Sequence, residues 1–218
     1  MRATGQLERL YQHLSHYANA ANVTYFTWGS LASEAALWQP FCAQTHARLA
    51  GSHGWGFGAE LQSCDVLRAM NLLGAIPALY AQLRWGTPFA VSLGSDYVAI
   101  ARIHGRRSAW KWRLLRTVAV RRAARVLVPN RQMATALMVR YPGRPIVHQP
   151  NWIDGERFSP GPPPSPSRRR RTVLFVGRLV REKNLEALAV VVATRPDLRR
   201  VCVGAGPLRD ASARRAAE

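Results

Sequence analysis

The fold of this chain is decided by the stretch Arg171-Thr-Val-Leu-Phe-Val-Gly-Arg-Leu-Val-Arg-Glu-Lys-Asn-Leu185. Its residues from Thr172 to Val176 are β-branched, aromatic and aliphatic, which is typical of a buried strand. Gly177 ends that run, and an apolar, helix-like run begins at Leu185. The pattern therefore predicts a strand, a glycine turn and the start of a helix.

Two basic residues, Arg178 and Lys183, lie in this turn. A helix N-terminus presents backbone N–H groups that have no partner within the helix, and neighbouring cations add positive charge. Such a place binds anions, and a diphosphate fits it well. The alternative is a surface turn with ordinary solvated charges, because short motifs often occur without a function.

The segment has recognisable neighbours on both sides. Upstream is the run Asn151-Trp-Ile-Asp-Gly-Glu-Arg-Phe158; downstream, after a helix and a short strand from Arg200 to Val203, is Gly204-Ala-Gly-Pro-Leu-Arg209. In this order the elements resemble the hinge and second-lobe entry of retaining glycosyltransferases of the GT-B fold, family 4 (glycosyl transferases group 1). Agreement of several spaced elements in order is more specific than any one of them.

Composition sets the broad class of the protein. The chain has 218 residues with 48% hydrophobic content, enough for one large or two small domains with a real core. No apolar run reaches the roughly 18 residues that a spanning helix needs. The first residues lack the apolar core of a signal peptide, so we expect a cytoplasmic protein.

Cysteine and histidine spacing predicts no metal centre. Cys42, Cys64 and Cys202 are far apart, and we expect them to be reduced, mostly buried thiols. His13 and His16 are three residues apart on a predicted helix, a spacing that can hold a metal but more often does not.

The net charge of +19 is extreme, and it gives the protein a potential that attracts phosphates, anionic lipid or nucleic acid. Basic residues are dense from His104 to Arg125, where an apolar stripe recurs at helical spacing. The stripe consists of Trp110, Leu114, Thr117 and Val118. Such a helix either rests on an anionic membrane or turns its stripe to the core and its charges to solvent.

Apolar runs alternate with helical patterns along the rest of the chain, which predicts an α/β fold with a parallel sheet. The predicted strands and helices, in chain order, are helix 7–17, strand 23–28, strand 65–69, helix 72–83, strand 88–96, strand 124–130, helix 132–141 and a run at 146–150. We therefore expect a Rossmann-like lobe over residues 1–158, a Pro/Arg-rich linker over 159–170 and a second lobe over 171–218.

The resemblance implies that the first strand of the N-terminal, acceptor-binding lobe is missing. It also implies that 171–218 holds only the first strand–helix–strand of the nucleotide-sugar donor lobe. On this expectation an apolar sheet edge is exposed in the second lobe, and the activity of the chain as given is in doubt. Residues 31–63 match no part of the family; the glycine-rich run within them suits a loop over the cleft or a linker equally well.

The resemblance also assigns site residues. Arg178 and Lys183 stabilise the departing diphosphate, and Asp96, after Gly94-Ser95, lies on the acceptor side; its alternative is a turn-capping role. Residues implied to lie near the donor are Gly5, Asn151, Gly177, Asn184, Gly204 and Gly206; for the last two a plain tight turn is the alternative. Trp152 stands where the family has glycine, so the turn there must differ locally.

The reaction implied is transfer of a sugar, with retention, from a nucleoside-diphosphate sugar to a hydroxyl of a glycan or lipid-linked acceptor. The two cations would act in place of a metal ion, and no cofactor is expected. Contact with an anionic membrane is a further expectation, and no specific nucleic acid is expected. The alternatives are a noncatalytic basic module that binds membrane or nucleic acid, and a hydrolase or phosphorylase-like relative.

Overall fold

The structure, a computed structural model, describes residues 14–27, 39, 42, 48–51, 58–105, 109–153, 155–156, 158–161, 171–195 and 197–209. The chain divides into two compact units. Unit 1 comprises Met1–Ala99 and Arg107–Ile153, and unit 2 comprises Ile100–Arg106 and Asp154–Glu218. Most of the predicted linker, residues 162–170, lies outside the described residues.

Unit 1 is built on a parallel sheet of four strands in the order β3-β4-β5-β6. The strands are β3 (Leu67–Ala69), β4 (Phe89–Ser92), β5 (Arg125–Val128) and β6 (Ile146–His148). A separate parallel pair joins β1 (Thr24–Thr27) to β2 (Arg48–Gly51). The prediction of a Rossmann-like α/β lobe with a parallel sheet is confirmed.

Helices connect the strands of the four-stranded sheet, as parallel pairing requires. Helix α1 (Gly58–Gln62) precedes β3, and the connections between the strands run through α2 (Ala75–Trp85), through α3 (Tyr97–Ile103) with α4 (Ala109–Arg122), and through α5 (Arg131–Arg140). Residues 14–18 are also helical, and the predicted residues 7–13 lie outside the description. Pro77 is accommodated in the first turn of α2, where its missing N–H costs no helical hydrogen bond. Asn130 caps α5, because its Oδ1 accepts a hydrogen bond from the Met133 amide at 2.7 Å.

The core of unit 1 lies on the central strands. Phe89, Val91 and Val126 are fully buried, and small residues such as Ala75 and Ala119 let α2 and α4 approach the sheet closely. Continuous apolar runs of this kind are expected where helices cover both faces of a parallel sheet. The sheet is therefore a rigid base for any side chain at its carboxyl edge.

Unit 2 contains a two-stranded parallel sheet of β7 (Thr172–Val176) and β8 (Arg199–Val203), joined through a 3₁₀ turn (Arg181–Lys183) and helix α6 (Leu185–Ala193). The prediction that β7 is buried is wrong: its residues alternate between exposed and half-buried, and Val176 is 70% exposed. One neighbouring strand and one helix are too little to cover it within the described residues. The expected exposure of apolar sheet surface in this unit is therefore observed.

Of the two alternatives for the stripe on α4 the core-facing one is wrong, and so is the expectation that the cysteines are mostly buried. Trp110, Leu114 and Val118 do not face the core, since they are 60%, 57% and 39% exposed. The buried residues of helix α4 are instead Ala119 and Val120, which follow Val118 in the sequence. None of the three cysteines forms a disulfide, but Cys202 is exposed and the other two are half-buried.

Among the described residues, no helix has both the length and the apolar content needed to cross a membrane.

Candidate functional site

The carboxyl ends of β7 and β8 meet in a pair of closely packed loops. Beyond the strands the loops remain hydrogen-bonded: the Gly177 amide donates to the Val203 carbonyl at 3.0 Å, and the Leu179 amide donates to the Ala205 carbonyl at 2.8 Å. A Cβ atom on Gly204 would overlap the Gly177 carbonyl. Glycine at this position is thus required by the approach of two backbones, which accounts for it without a ligand.

Gly206 is constrained in the same way, because a Cβ there would overlap the Leu179 carbonyl. These close approaches leave no room for a side chain at Gly204 or Gly206, at the edge where parallel sheets place their ligands. Gly177, Gly204 and Gly206 are thereby brought together, as the sequence predicted. Whether they bind a nucleotide stays a prediction.

Asn184 joins the 3₁₀ turn to α6 with φ 49° and ψ 49°, in the left-handed region. It is the only non-glycine residue with positive φ in the described part of the chain, and asparagine tolerates this conformation better than most residues. Its side chain does not cap α6. The first-turn amides of α6 therefore lack a side-chain cap, which leaves them available to an anion.

Both proposed cations, Arg178 and Lys183, are exposed, and neither forms a salt bridge within the described residues. The acidic residue between them, Glu182, is engaged elsewhere: its Oε1 lies 2.7 Å from Nε2 of His104. That hydrogen bond is the main reason why the pKa of Glu182 is lowered, and the charges of His104 and Arg178 contribute less. His104 therefore holds the carboxylate of Glu182, which could otherwise pair with one of the two cations.

Asp96, in unit 1, begins helix α3. Its Oδ1 accepts hydrogen bonds from the amides of Val98 at 2.9 Å and Ala99 at 3.2 Å, and it also pairs with Arg116 Nη1 at 3.2 Å. The capping role that the sequence left as the alternative is thus observed for this oxygen. Oδ2 has no hydrogen-bond partner in the described chain, so a role towards an acceptor hydroxyl stays a prediction.

A cavity of about 570 Å³ lies in unit 1 beside the segment that follows β6. It is lined by His16, Tyr17, Gln149, Pro150, Asn151, Trp152 and Ile153. The ring of His16 meets that of Trp152 edge-on, with centroids 5.5 Å apart. Trp152 has a negative φ, so the chain here avoids the left-handed conformation that a glycine would permit. Asn151 therefore lies in an aromatic cavity.

Arg68, which the sequence did not single out, contacts two of the residues that line this cavity. It lies in β3, half-buried, with its guanidinium 5.0 Å from the centroid of the Tyr17 ring. Its Nη2 donates to Ser92 Oγ at 3.2 Å and to Gln149 Oε1 at 3.4 Å. The available signal was an arginine between the apolar residues of a predicted strand, which is hard to notice in so basic a chain.

Metal binding finds no support in the described part of the chain, where no cluster of three or more metal-ligating side chains occurs. Gly5 and His13 lie outside the described residues. Sequence expectations for these two positions therefore stay predictions.

The chain matches no protein-family model and no curated protein sequence. Its fold is similar to the crystal structure of Anabaena Alr3699/HepE in complex with UDP and glucose, with TM-score 0.65 and 17% identity over 98% of this chain and 61% of that chain. The complex of the same protein with UDP-glucose gives TM-score 0.62 and 18% identity, over 93% and 57% of the two chains. This chain thus spans less than two thirds of the length of these structures, and the likeness shows the fold alone.

Proposed function

We propose that the chain belongs to a glycosyltransferase, which transfers a sugar with retention from a nucleoside-diphosphate sugar to a hydroxyl of a glycan or lipid-linked acceptor. The observation that carries the proposal is the turn after β7. There Arg178 and Lys183, which form no salt bridge with any residue that the structure describes, accompany the closely packed glycine loops and the uncapped start of α6. The fold is similar to that of a protein solved with UDP and with UDP-glucose, which supports this choice.

The chemistry needs positive charge where the leaving group departs. As the bond from the anomeric carbon to the diphosphate oxygen breaks, negative charge grows on that oxygen, and the acceptor hydroxyl oxygen bonds to the anomeric carbon. The departing oxygen takes the hydroxyl proton. Fixed cations bind the developing charge more tightly than the neutral bond it replaces, so they lower the barrier. In the proposal Arg178 and Lys183 do this without a metal ion, and Asp96 Oδ2 accepts a hydrogen bond from the acceptor.

Binding of UDP tests the proposal directly. We expect saturation-transfer NMR to detect UDP on the wild-type chain, and Arg178→Ala or Lys183→Ala to weaken binding about tenfold, because each removes a charge-assisted contact to phosphate. The matched control is Arg199→Ala, which removes one positive charge at the amino end of β8, opposite the glycine loops. Pyrophosphate at the same concentration should bind less tightly than UDP.

Unchanged binding in both Arg178→Ala and Lys183→Ala would refute the proposal. Equal losses in Arg199→Ala would show that UDP responds only to net charge, and equal binding of pyrophosphate would show that the nucleoside is not recognised. Each of these results contradicts a nucleotide-sugar site at the turn after β7.

A second candidate role is contact with an anionic membrane at its cytoplasmic face. It is favoured by the solvent-facing row on α4, formed by Trp110, Leu114 and Val118. Exposed cations flank this row, and Lys111 Nζ lies 5.7 Å from the centroid of the Trp110 ring. An apolar row bordered by basic residues matches the surface of an anionic bilayer, where the rings enter the interface and the cations meet phosphates.

Vesicle flotation separates this role from generic charge attraction. We expect the double variant Trp110→Ala/Leu114→Ala to lose most of its binding to vesicles that contain phosphatidylglycerol. The control Met138→Ala/Val139→Ala alters two exposed apolar residues of α5 and leaves the charge unchanged. Equal flotation of the two double variants would rule out docking through α4.

A further inference from the structure

Arg68, in β3, is a half-buried cation with neutral hydrogen-bond partners. Arg68 is half-buried in unit 1, and no carboxylate of the described chain lies within salt-bridge distance of it. Its Nε is buried and has no hydrogen-bond partner there. Burial also lowers the pKa of the guanidinium. Burying a cation costs solvation free energy, which a neighbouring anion normally offsets. Arg68 has no such anion among the described residues.

The groups around Arg68 are neutral and come from several elements. Ser92 ends β4, Gln149 follows β6, and Tyr17 lies on the helical segment 14–18. The two hydrogen bonds that the guanidinium makes, at 3.2 and 3.4 Å, both use Nη2 and both go to neutral oxygens. A planar guanidinium has five N–H donors arranged to bind two oxygens of one carboxylate or phosphate side by side. Most of that capacity is unused.

Arg68 does not itself line the cavity of unit 1, but it contacts residues that do. Two of the cavity's lining residues, Tyr17 and Gln149, are the ones that contact Arg68. The other walls supply the aromatic faces of His16 and Trp152 and the amide of Asn151. Apolar rings with a few convergent polar groups are typical of a small-molecule site, and the C–H face of a pyranose packs well on such rings.

We propose that the cavity of unit 1 binds an acceptor in which a sugar ring carries an oxyanion, a carboxylate or a phosphate, and that Arg68 is the counterion of that group. This assignment rests on the proposed function and narrows it to anionic acceptors. The ring lies against His16 and Trp152, and Gln149, which Arg68 holds through Oε1, donates its amide N–H to the acceptor. The net charge of +19 draws such a ligand towards the protein.

Three probes of matched size test the proposal on the wild-type chain. They are methyl β-glucuronide, which carries a carboxylate, glucose 6-phosphate, and neutral methyl β-glucoside, each titrated by NMR while the ring protons of Tyr17 and His16 are observed. We expect at least one of the two anions to bind about tenfold more tightly than the glucoside. The tighter anion identifies the source of the oxyanion. Equal affinity for all three would overturn the proposal.

Variants separate Arg68 from general positive charge. We expect Arg68→Gln to remove the preference for the anion, and Arg68→Lys to restore part of it. The control Arg84→Gln removes one exposed charge of α2 and should keep the preference. A preference that persists in Arg68→Gln would overturn the assignment. If that variant does not fold, the wild-type titrations still decide the outcome.

Binding of UDP, measured in parallel, keeps this inference distinct from the proposed function. If UDP binds through Arg178 but the cavity of unit 1 shows no preference for the anions, only the acceptor assignment is refuted. An anion preference without UDP binding would sink the donor site and leave unit 1 as an anionic-saccharide site.

Discussion

The four-stranded sheet of unit 1 and the β7–β8 sheet of unit 2 are both built from apolar strands, but the strands differ in burial. The strand β4 of unit 1 alternates fully buried with half-buried residues, and the strand β7 of unit 2 alternates half-buried with exposed ones. Among the described residues of unit 2, only Ala101, Leu179 and Leu185 are buried hydrophobics. A strand sequence thus specifies pairing and direction, but its burial depends on what is packed against it.

This contrast has a consequence for function. The candidate site in unit 1 is formed by side chains of the helical segment 14–18 and of the segment after β6, beside a sheet with a buried core. The candidate site in unit 2 depends on backbone geometry, through the glycine loops and the turn at Asn184. We therefore expect stability in unit 1 to be governed by core volume, and stability in unit 2 by backbone fit.

A matched pair of phenylalanines tests the contrast with the largest expected effect. Phe89→Ala in β4 should cost about 3–5 kcal/mol, because its fully buried ring would leave a cavity. Phe175→Ala in β7 should cost roughly 1–2 kcal/mol, because its ring is half-exposed already. All seven tryptophans lie in unit 1, so urea denaturation followed by tryptophan fluorescence reports that unit.

Amide hydrogen exchange then reports unit 2. If Phe89→Ala does not fold, Phe89→Leu should still cost about 1 kcal/mol. Equal costs for the two alanine variants would mean that β7 is covered in solution and that the contrast is wrong.

Two glycine substitutions test whether backbone fit governs the stability of unit 2, and their expected effect is of intermediate size. Gly204→Ala should destabilise unit 2 by about 1–3 kcal/mol, because the new methyl group meets the Gly177 carbonyl, which is backbone and cannot turn aside. Gly161→Ala, with nothing near its Cβ position, should change stability by less than about 0.5 kcal/mol. Hydrogen-exchange rates of the β7 and β8 amides measure the stability change in both variants. Unchanged stability in Gly204→Ala would disprove the close approach of the two backbones.

The smallest expected effect is on the pKa of Glu182, which lies between Arg178 and Lys183 in the sequence. Because the pKa of Glu182 is lowered by its contact with His104, this contact stabilises unit 2 above the ordinary value of 4.5, and the stabilisation is lost as pH falls through the lowered value. We expect an NMR titration to show the Glu182 pKa rising in His104→Ala. UDP binding should weaken slightly in that variant, because Glu182 can then pair with Arg178 or Lys183. An unchanged Glu182 pKa would contradict the role given to His104.

The sequence predicted the elements of unit 1 well, for a physical reason. Runs such as 88–96 and 124–130 are apolar because the central strands carry fully buried residues, so the strands β4 and β5 were found within a few residues. The start of α6 at Leu185 was also placed correctly, because a helix-like apolar run begins there. These features are written locally in the chain.

Burial and convergence could not be predicted in the same way. The row Trp110, Leu114 and Val118 has helical spacing, but spacing alone does not say which face meets the core. Arg68, Gln149 and Tyr17 are far apart in sequence and meet only when the strands pair. A site formed by such long-range contacts has no continuous sequence motif. The turn from Gly177 to Asn184 is a continuous segment, so its pattern can be recognised in the sequence.

The central claim is that the turn after β7 binds the diphosphate of an activated sugar. It is tested most directly by titrating UDP into the ¹⁵N-labelled chain and mapping the backbone amides that shift. The account predicts that the largest shifts fall on Gly177, Arg178, Asn184, Leu185 and Gly204, and that they vanish in Arg178→Ala/Lys183→Ala. Shifts confined to other residues, or unchanged in that variant, would contradict it.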